Sequence, residues 1–343
     1  MSIPSITGWM LALACLMFAG AARGACDVPP PVRLAPPLVG GKPVEVKAGF
    51  TLIDLIAIRD ADQTFTADVV FTLDWHDARL AAAARGESME GCRVGVDDIW
   101  HPDVGAINRR ALTAVYGPRV SISSEGGVHY EVRAIGDFST RLDLRNFPFD
   151  TQALRIRIAS FRHGPDVLAL VGNASTRADA TDFAIAGWST LRSFVDAGMA
   201  PEKVGARSFS RLDYVLEVRR NGRYYVWNFV VPLVFIVLMA WTVFWLDPQA
   251  AGVQIGISTA SAFTLVAFLV SLRGRLPPVP YLTRMDELIL FSTMLVFAAL
   301  AQAVLTSRLA QIERIALARR LDAYGRWIYI AAFGLVLYMA LAH

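Results

Sequence analysis

The sequence predicts an all-β sandwich extracellular domain followed by an all-α, four-helix transmembrane domain. The 343-residue chain is 55% hydrophobic and 18% charged, with a mean hydropathy of +0.43, whereas soluble proteins carry about 25% charged residues. Charged residues recur every few positions up to Arg223 and then gather in short clusters between long apolar segments. We therefore predict a signal peptide over residues 1–25, the sandwich over 26–222 and the membrane domain over 223–343.

The first 25 residues have the pattern of a secretory signal. The apolar run from Trp9 to Gly20 is short for a membrane span, and small residues follow it. No Lys or Arg precedes the run, so an uncleaved anchor is the alternative interpretation. After cleavage the chain keeps Cys26 and Cys92. An oxidising periplasm allows them to pair, but their spacing does not establish that they lie within bridging distance.

Strand-like segments fill the region from about residue 48 to residue 220. Residues 50–58, 69–75 and 154–158 alternate or run apolar and are rich in β-branched and aromatic side chains. Gly, Asp and Asn separate these segments. Residues 78–86 predict a short helix or a long connection. So many short strands over this length indicate a β-sandwich.

Four apolar segments are predicted to cross the membrane, at about residues 224–246, 250–272, 288–307 and 327–342. Pro232 in the first is tolerated where neighbouring helices satisfy the freed carbonyl. Export of the sandwich places the basic residues between the third and fourth spans in the cytoplasm, as the positive-inside bias expects. These residues are Arg308, Arg314, Arg319, Arg320 and Arg326.

The second span differs from the others because it is rich in small and hydroxyl residues. A helix of this composition packs tightly against neighbours or lines water. Several copies around an axis would enclose a pore, whereas a close-packed helix is the alternative. The residues concerned are Gln254, Gly256, Ser258, Thr259, Ser261, Thr264 and Ser271.

Several classes of function find little support in the composition. The net charge of +3 is too small to indicate nucleic-acid binding. The five His and three Cys show no zinc-type spacing, and no Gly-rich phosphate loop is present. Near the spans only Asp247, Asp286 and Glu287 offer catalytic side chains. We predict no enzymatic activity, no cofactor, no metal and no nucleic-acid partner.

The segment 142–152, with the sequence LDLRNFPFDTQ, resembles the signature loop of the Cys-loop receptor superfamily. No cysteines flank it, as is typical of prokaryotic relatives. Weaker matches follow in the order of the family, and together they make residues 49–343 similar to a prokaryotic pentameric ligand-gated ion channel. They lie at Trp75–Leu80, Trp100–Asp103, Arg219–Asn228 and Leu276–Tyr281.

The resemblance implies a homopentameric channel of the bacterial inner membrane, with the sandwich in the periplasm. A small-molecule agonist or protons would bind between subunits and open a pore for inorganic ions. The second helix of this chain and of four further copies would line that pore. A membrane-anchored ligand sensor that does not conduct is the alternative.

The resemblance also implies an aromatic ligand site between subunits. Family ligands contact such aromatics through cation–π interactions, but the usual Tyr residues are missing, so an acidic ligand or protons stay open. Without the resemblance, the two Trp residues are more typical of a sandwich core. The complementary side would supply Trp75, and the principal side Trp100, Ile107, Phe161, His163 and Phe209.

A third implication is a coupling site at the membrane surface. There the loops 60–63, 147–150 and 277–281 are expected to meet, and Arg220 is expected to pair with Asp150 or Asp60. Removing one partner of such a buried ion pair is costly, because the other charge is left buried without compensation. The predicted coupling residues are Asp60, Phe147, Pro148, Asp150, Arg220 and Pro280.

The family spacing predicts one face of the second span as the pore lining, with Phe263 as the hydrophobic gate. The residues on this face recur at steps of four and three, which keeps them aligned on a helix. The residues alone also permit another register, in which Gln254, Ser258 and Ser261 face the water. The predicted lining is Gly256, Ala260, Phe263, Ala267 and Val270.

Ion selectivity stays open between cations and anions. The segment Ala250–Val253 carries neither the Glu ring of cation channels nor the Pro-Ala-Arg of anion channels. Arg273 and Arg275 at the outer mouth would repel cations, but Asp286 and Glu287 lie near them in the sequence.

Overall fold

The computed structural model describes residues 34–81, 95–173, 185–196, 202–204, 207–272 and 279–341. The predicted signal peptide, Cys26 and Cys92, and Arg273 and Arg275 lie outside these residues.

The part of the chain up to Arg220 is a sandwich of two sheets, as predicted. The first sheet has the order β4-β6-β2-β1-β8, with β5 also paired to β6. All its pairs are antiparallel except β1 with β8. Its strands are β1 (Val44–Arg59), β2 (Thr64–His76), β4 (Arg109–Ala114), β5 (Arg119–Ile122), β6 (Gly127–Ser139) and β8 (Leu168–Gly172).

The second sheet has the order β3-β7-β12-β9 and is antiparallel throughout. A separate pair of short strands, β10 with β11, precedes β12. The strands are β3 (Val104–Ala106), β7 (Thr151–Ser160), β9 (Trp188–Asp196), β10 (Glu202–Val204), β11 (Arg207–Phe209) and β12 (Arg211–Arg220).

The core lies between the two sheets because alternate side chains of a strand point to the same face. In β7 the residues from Gln152 to Ile158 alternate between buried and half-buried. Across the core, the ring of Phe50 in β1 stacks on Tyr214 in β12 at 5.5 Å. The three predicted segments at 50–58, 69–75 and 154–158 lie within β1, β2 and β7.

The part of the chain from Arg223 onward contains four helices long and apolar enough to cross a membrane: α1 (Arg223–Trp245), α2 (Ala251–Leu272), α3 (Arg284–Gln311) and α4 (Ile315–Leu341). In α1 the segment Val226–Val230 forms a π-helical turn. Pro232 lies two residues after this segment and has no N–H for the helical bond to residue 228. The wider turn lies where this helical hydrogen bond is missing.

The helices α3 and α4 are longer than the predicted spans 288–307 and 327–342. Only residues 312–314 separate them. A capping box starts α3, in which Thr283 accepts from the Asp286 N–H at 3.2 Å and donates to its carboxylate. Hydropathy identifies only the apolar part of a helix, whereas backbone hydrogen bonds continue through the charged residues at its ends.

Candidate functional site

Arg220, the last residue of β12, forms a buried ion-pair cluster where the sandwich meets α1. Its Nε donates to Oδ1 of Asp150 at 2.8 Å. Its two terminal nitrogens donate to the carboxylate oxygens of Asp60, at 2.8 and 2.9 Å. The side chains of Arg220 and Asp150 are 4% and 1% exposed. One guanidinium therefore joins the β1–β2 turn to the signature loop.

The cluster is electrostatically well matched. Burial alone lowers the pKa of Arg220, but the hydrogen bonds and charges of Asp60 and Asp150 outweigh it and raise the pKa above its usual value. The guanidinium lies 4.1 Å from the ring centre of Trp188 and 5.0 Å from that of Phe147. Arg220 therefore stays charged over the whole pH range in which the protein folds.

The signature loop also contacts two helices. The ring of Phe147 meets that of Tyr225 in α1 edge to face at 4.7 Å. The Leu144 N–H donates to the hydroxyl of Tyr281 at 2.9 Å, and the Arg284 N–H donates to the Arg145 carbonyl at 3.1 Å. The loop thus bridges β12, the start of α1 and the segment that leads into α3.

The structure brings most of the predicted coupling residues together. Asp60, Phe147, Asp150 and Arg220 are in direct contact, while Pro148 is buried against Gly222. Pro280 is exposed beside Tyr281. Sequence reasoning missed Trp188, because it reaches Arg220 as a cross-strand neighbour between β9 and β12. No local pattern in the sequence indicates such a pairing.

Gly222 sets the distance between the signature loop and α1. A Cβ atom at this position would lie 2.5 Å from the Phe149 ring and 3.1 Å from the Pro148 carbonyl oxygen. Gly222→Ala should therefore push the loop away from α1 and reduce stimulus-evoked ion flux, with a loss of stability of about 1–3 kcal/mol from overpacking. Flux assays and thermal unfolding of the purified protein test this. A Gly222→Ala protein with wild-type ion flux and wild-type thermal stability would contradict this prediction.

The predicted ligand residues fall into two aromatic groups. In the first, Trp75 meets Trp100 edge to face at 6.2 Å, and Trp100 lies 5.4 Å from His163. Both Trp side chains are buried in the core of the same subunit, at 4% and 3% exposure. Their indole N–H groups and Nε2 of His163 are buried and have no hydrogen-bond partner among the described residues. This placement fits the sandwich-core interpretation of the two Trp residues within one chain.

The second aromatic group reaches the surface. Phe161 is 51% exposed and meets the buried Phe209 edge to face at 5.3 Å. Ile107 is half-buried after β3, where its N–H donates to the Arg157 carbonyl at 2.8 Å. A neighbouring molecule can therefore reach Phe161 directly, whereas Trp75 and Trp100 are covered.

His163 should make the protein sensitive to acid. Burial is the main cause that lowers the pKa of His163, and the Arg162 charge lowers it further. As the pH falls, the His163 side chain therefore binds a proton in the unfolded chain before it does so in the folded protein. The free energy of unfolding is largest above the pKa of the unfolded chain and decreases as the pH falls through the pKa of the folded protein. In His163→Phe the unfolding midpoint of the full-length protein should fall less between neutral pH and about pH 4.5. An equal fall in both proteins would contradict this.

The faces of α2 are sharply divided. Gln254, Ser258 and Ser261 are fully buried against the other helices. The hydroxyls of Ser258 and Ser261 donate to backbone carbonyls one turn earlier, both at 2.9 Å. The polar residues are therefore satisfied inside the subunit without water.

The predicted pore face points away from the rest of the subunit. At about 100° per residue, this face lies about 180° from the polar stripe. Phe263 is 71% and Val270 58% exposed. The three smaller residues of this face, Gly256, Ala260 and Ala267, are exposed as well.

A β-sandwich joined through a buried ion-pair cluster to four membrane-crossing helices defines a multi-pass membrane protein with a separate β-sandwich domain. Residues 32–221 match the neurotransmitter-gated ion-channel ligand binding domain, and residues 229–311 match the neurotransmitter-gated ion-channel transmembrane region. The chain belongs to this family, the pentameric ligand-gated ion channels of the Cys-loop superfamily. This confirms the resemblance found in the sequence, and the family is not a class of enzymes.

A curated relative supports the same assignment. The chain is 28% identical over 269 residues to a protein of Gloeobacter violaceus described as a proton-gated ion channel. The match covers 78% of this chain and 74% of that relative.

Proposed function

We propose that the chain is one subunit of a homopentameric channel that opens when an extracellular agonist binds between subunits, with α2 lining the pore. The observation that carries this proposal is the division of α2. Its polar stripe is satisfied within the subunit, which leaves the face from Gly256 to Val270 for the channel axis. Family membership supports the pentamer, because one such helix cannot enclose a pore.

Phe263 forms the hydrophobic gate in this proposal. It is the largest side chain of the proposed lining, with Ala260 and Ala267 one turn away on either side. A ring of five Phe side chains narrows the pore and excludes water when closed. The exposed position of Phe263 within the subunit supports this role.

The Arg220 cluster carries agonist-induced motion to the pore. It ties the β1–β2 turn and the signature loop to the strand that continues into α1. The hydrogen bonds of Leu144 and Arg284 tie the same loop to the segment that follows α2. A packed, hydrogen-bonded element of this kind shifts between discrete arrangements rather than deforming gradually.

Protons are the first agonist to test, and small acidic ligands the second. The Gloeobacter relative is described as a proton-gated channel. In this chain the exposed Phe161, which packs on the buried Phe209 and is followed by Arg162 and His163, offers a site that a neighbouring subunit can complete. The contributions of Trp75, Trp100 and Ile107 to ligand binding remain predictions.

We place the protein in the bacterial inner membrane with its sandwich in the periplasm. The connection between α3 and α4 lies at the end of the helices opposite the sandwich, because α3 starts beside the signature loop. Arg308, Arg314, Arg319 and Arg320 cluster at that end. A basic cluster on one side supports a cytoplasmic location.

Ion flux through liposomes that contain the purified full-length protein tests the function. A drop in external pH, or an added carboxylate, should release trapped ions, and the protein should run as a pentamer in detergent. Reversal potentials in asymmetric salt then give ion selectivity. Flux that stays at the level of empty liposomes under every stimulus would favour the non-conducting ligand sensor.

A further inference from the structure

The interior of the helical bundle contains a carboxyl group that the proposed pore does not use. Asp322 of α4 is only 4% exposed. Gln302 of α3 donates from Nε2 to Oδ1 of Asp322 at 3.3 Å and to the Leu321 carbonyl at 3.0 Å. The other carboxyl oxygen is buried and has no hydrogen-bond partner among the described residues. A buried carboxyl oxygen without a hydrogen-bond partner is costly, so its presence inside a membrane helix bundle calls for a functional reason.

α4 is shaped to receive the Gln302 amide. Gly325 follows Asp322 by three residues and therefore lies on the same face of the helix. A Cβ atom at Gly325 would overlap the Gln302 amide. The missing side chain leaves room for Gln302, and Asp322 then holds it through a hydrogen bond.

From Gln302 the hydrogen bonds continue to α2. Thr306, one turn further along α3, donates to the Gln302 carbonyl at 3.0 Å. Ser307 donates to Oε1 of Gln254 at 3.2 Å, and the Thr306 hydroxyl lies 3.5 Å from the same oxygen. All of these side chains except Gln302 are buried. We call Gln254, Gln302, Thr306, Ser307 and Asp322 the polar network.

Gln254 also ties the start of α2 to α1. Its Nε2 donates to the carbonyls of Val243 and Leu246, at 3.4 and 3.3 Å. Hydrogen bonds are directional, so this anchor fixes the helix more narrowly than apolar packing alone. The cytoplasmic end of α2 is thus held by α1 and α3, and α3 is held by α4.

We propose that Asp322 is a positioning residue that acts through Gln302 and Gln254 to hold the cytoplasmic end of the pore helix. This inference rests on the proposed function, in which Gly256, two residues after Gln254, faces the pore. Gly256 has no side chain, so the position of the backbone sets the pore width there. Through the polar network, α4 controls a pore that it does not line.

A double-mutant cycle on the full-length channel tests the proposal. Asp322→Val and Gln254→Leu should each change the open–closed equilibrium by about 2- to 30-fold. Combined, they should change it no more than Gln254→Leu alone, because Asp322 acts through Gln254. The separate variant Asp322→Asn keeps an oxygen that accepts from Gln302 and should show the wild-type open–closed equilibrium. Simple addition of the two effects, or no effect of Asp322→Val, would overturn the proposal.

Ser292→Ala is the matched control. Like Asp322, Ser292 has a buried side-chain oxygen without a hydrogen-bond partner among the described residues. Ser292 lies in α3 and outside the polar network. It should leave the equilibrium unchanged. If Asp322→Val does not assemble, Gly325→Ala replaces it, since its Cβ displaces Gln302 while the carboxyl group stays.

A readout without conduction separates this proposal from the proposed function. A spin label at Val253→Cys, which is 53% exposed on α2, reports the mobility of the helix end after the three native cysteines are changed to Ser. Asp322→Val should increase this mobility, and Ser292→Ala should not. A wild-type protein that does not conduct would overturn the proposed function, whereas an unchanged label in Asp322→Val would overturn the positioning role.

Discussion

Replacing Arg220 with Met should abolish stimulus-evoked ion flux and lower the thermal stability of the purified protein. The change leaves the carboxylate of Asp150 buried, at 1% exposure, without its cation. Removing one partner of a buried ion pair costs about 3–5 kcal/mol. The signature loop and the β1–β2 turn also lose their common contact with β12. The agonist site and α1 are then no longer coupled. Flux assays and thermal unfolding measure the two effects.

Arg219→Met is the matched control, because Arg219 is the exposed neighbour in the same strand. It should keep both flux and stability near wild type. Adding Asp150→Asn to Arg220→Met should restore part of the stability, since it removes the uncompensated charge. It should not restore flux. Normal flux in a folded Arg220→Met protein would rule out a coupling role for the cluster.

Replacing Phe263 with Ala should make the channel leak without any stimulus. In the closed pore the five Phe263 side chains form the proposed hydrophobic constriction, and Ala leaves an opening that water and ions enter. Unstimulated flux should rise to a level comparable with that of stimulated wild type. The side chain is 71% exposed within the subunit, so the fold of each subunit should change little.

Two variants of the same helix serve as comparisons. Phe268→Ala removes an equal volume from a ring that packs against the core, and the channel should stay closed. Ser261→Ala alters the polar stripe that the other register turns to the water. If Phe263→Ala stays closed while Ser261→Ala leaks, the register with the polar stripe at the axis is correct.

Much of the fold was predictable because it depends on local patterns. Alternating or continuous apolar residues with β-branched and aromatic side chains identified β1, β2 and β7, and the length of the apolar segments identified the four membrane helices. The ends of α3 and α4 could not be predicted from apolar length, because these helices continue through charged residues outside the bilayer. The coupling site was predicted only through the family resemblance. Its partner Trp188 stayed hidden because a cross-strand contact leaves no signal in the sequence around it.

The sequence by itself determined that a sandwich precedes four membrane-crossing helices and that α2 is the unusual one, since composition and periodicity are properties of each segment. Only the tertiary structure decided which side of α2 faces the bundle. Gln254 needs partners from both α1 and α3, and a buried polar side chain goes where such partners exist. The tertiary structure also buries Trp75 and Trp100, which the sequence alone left between core and ligand site, edge to face inside one subunit, because their large apolar rings are favoured in the core.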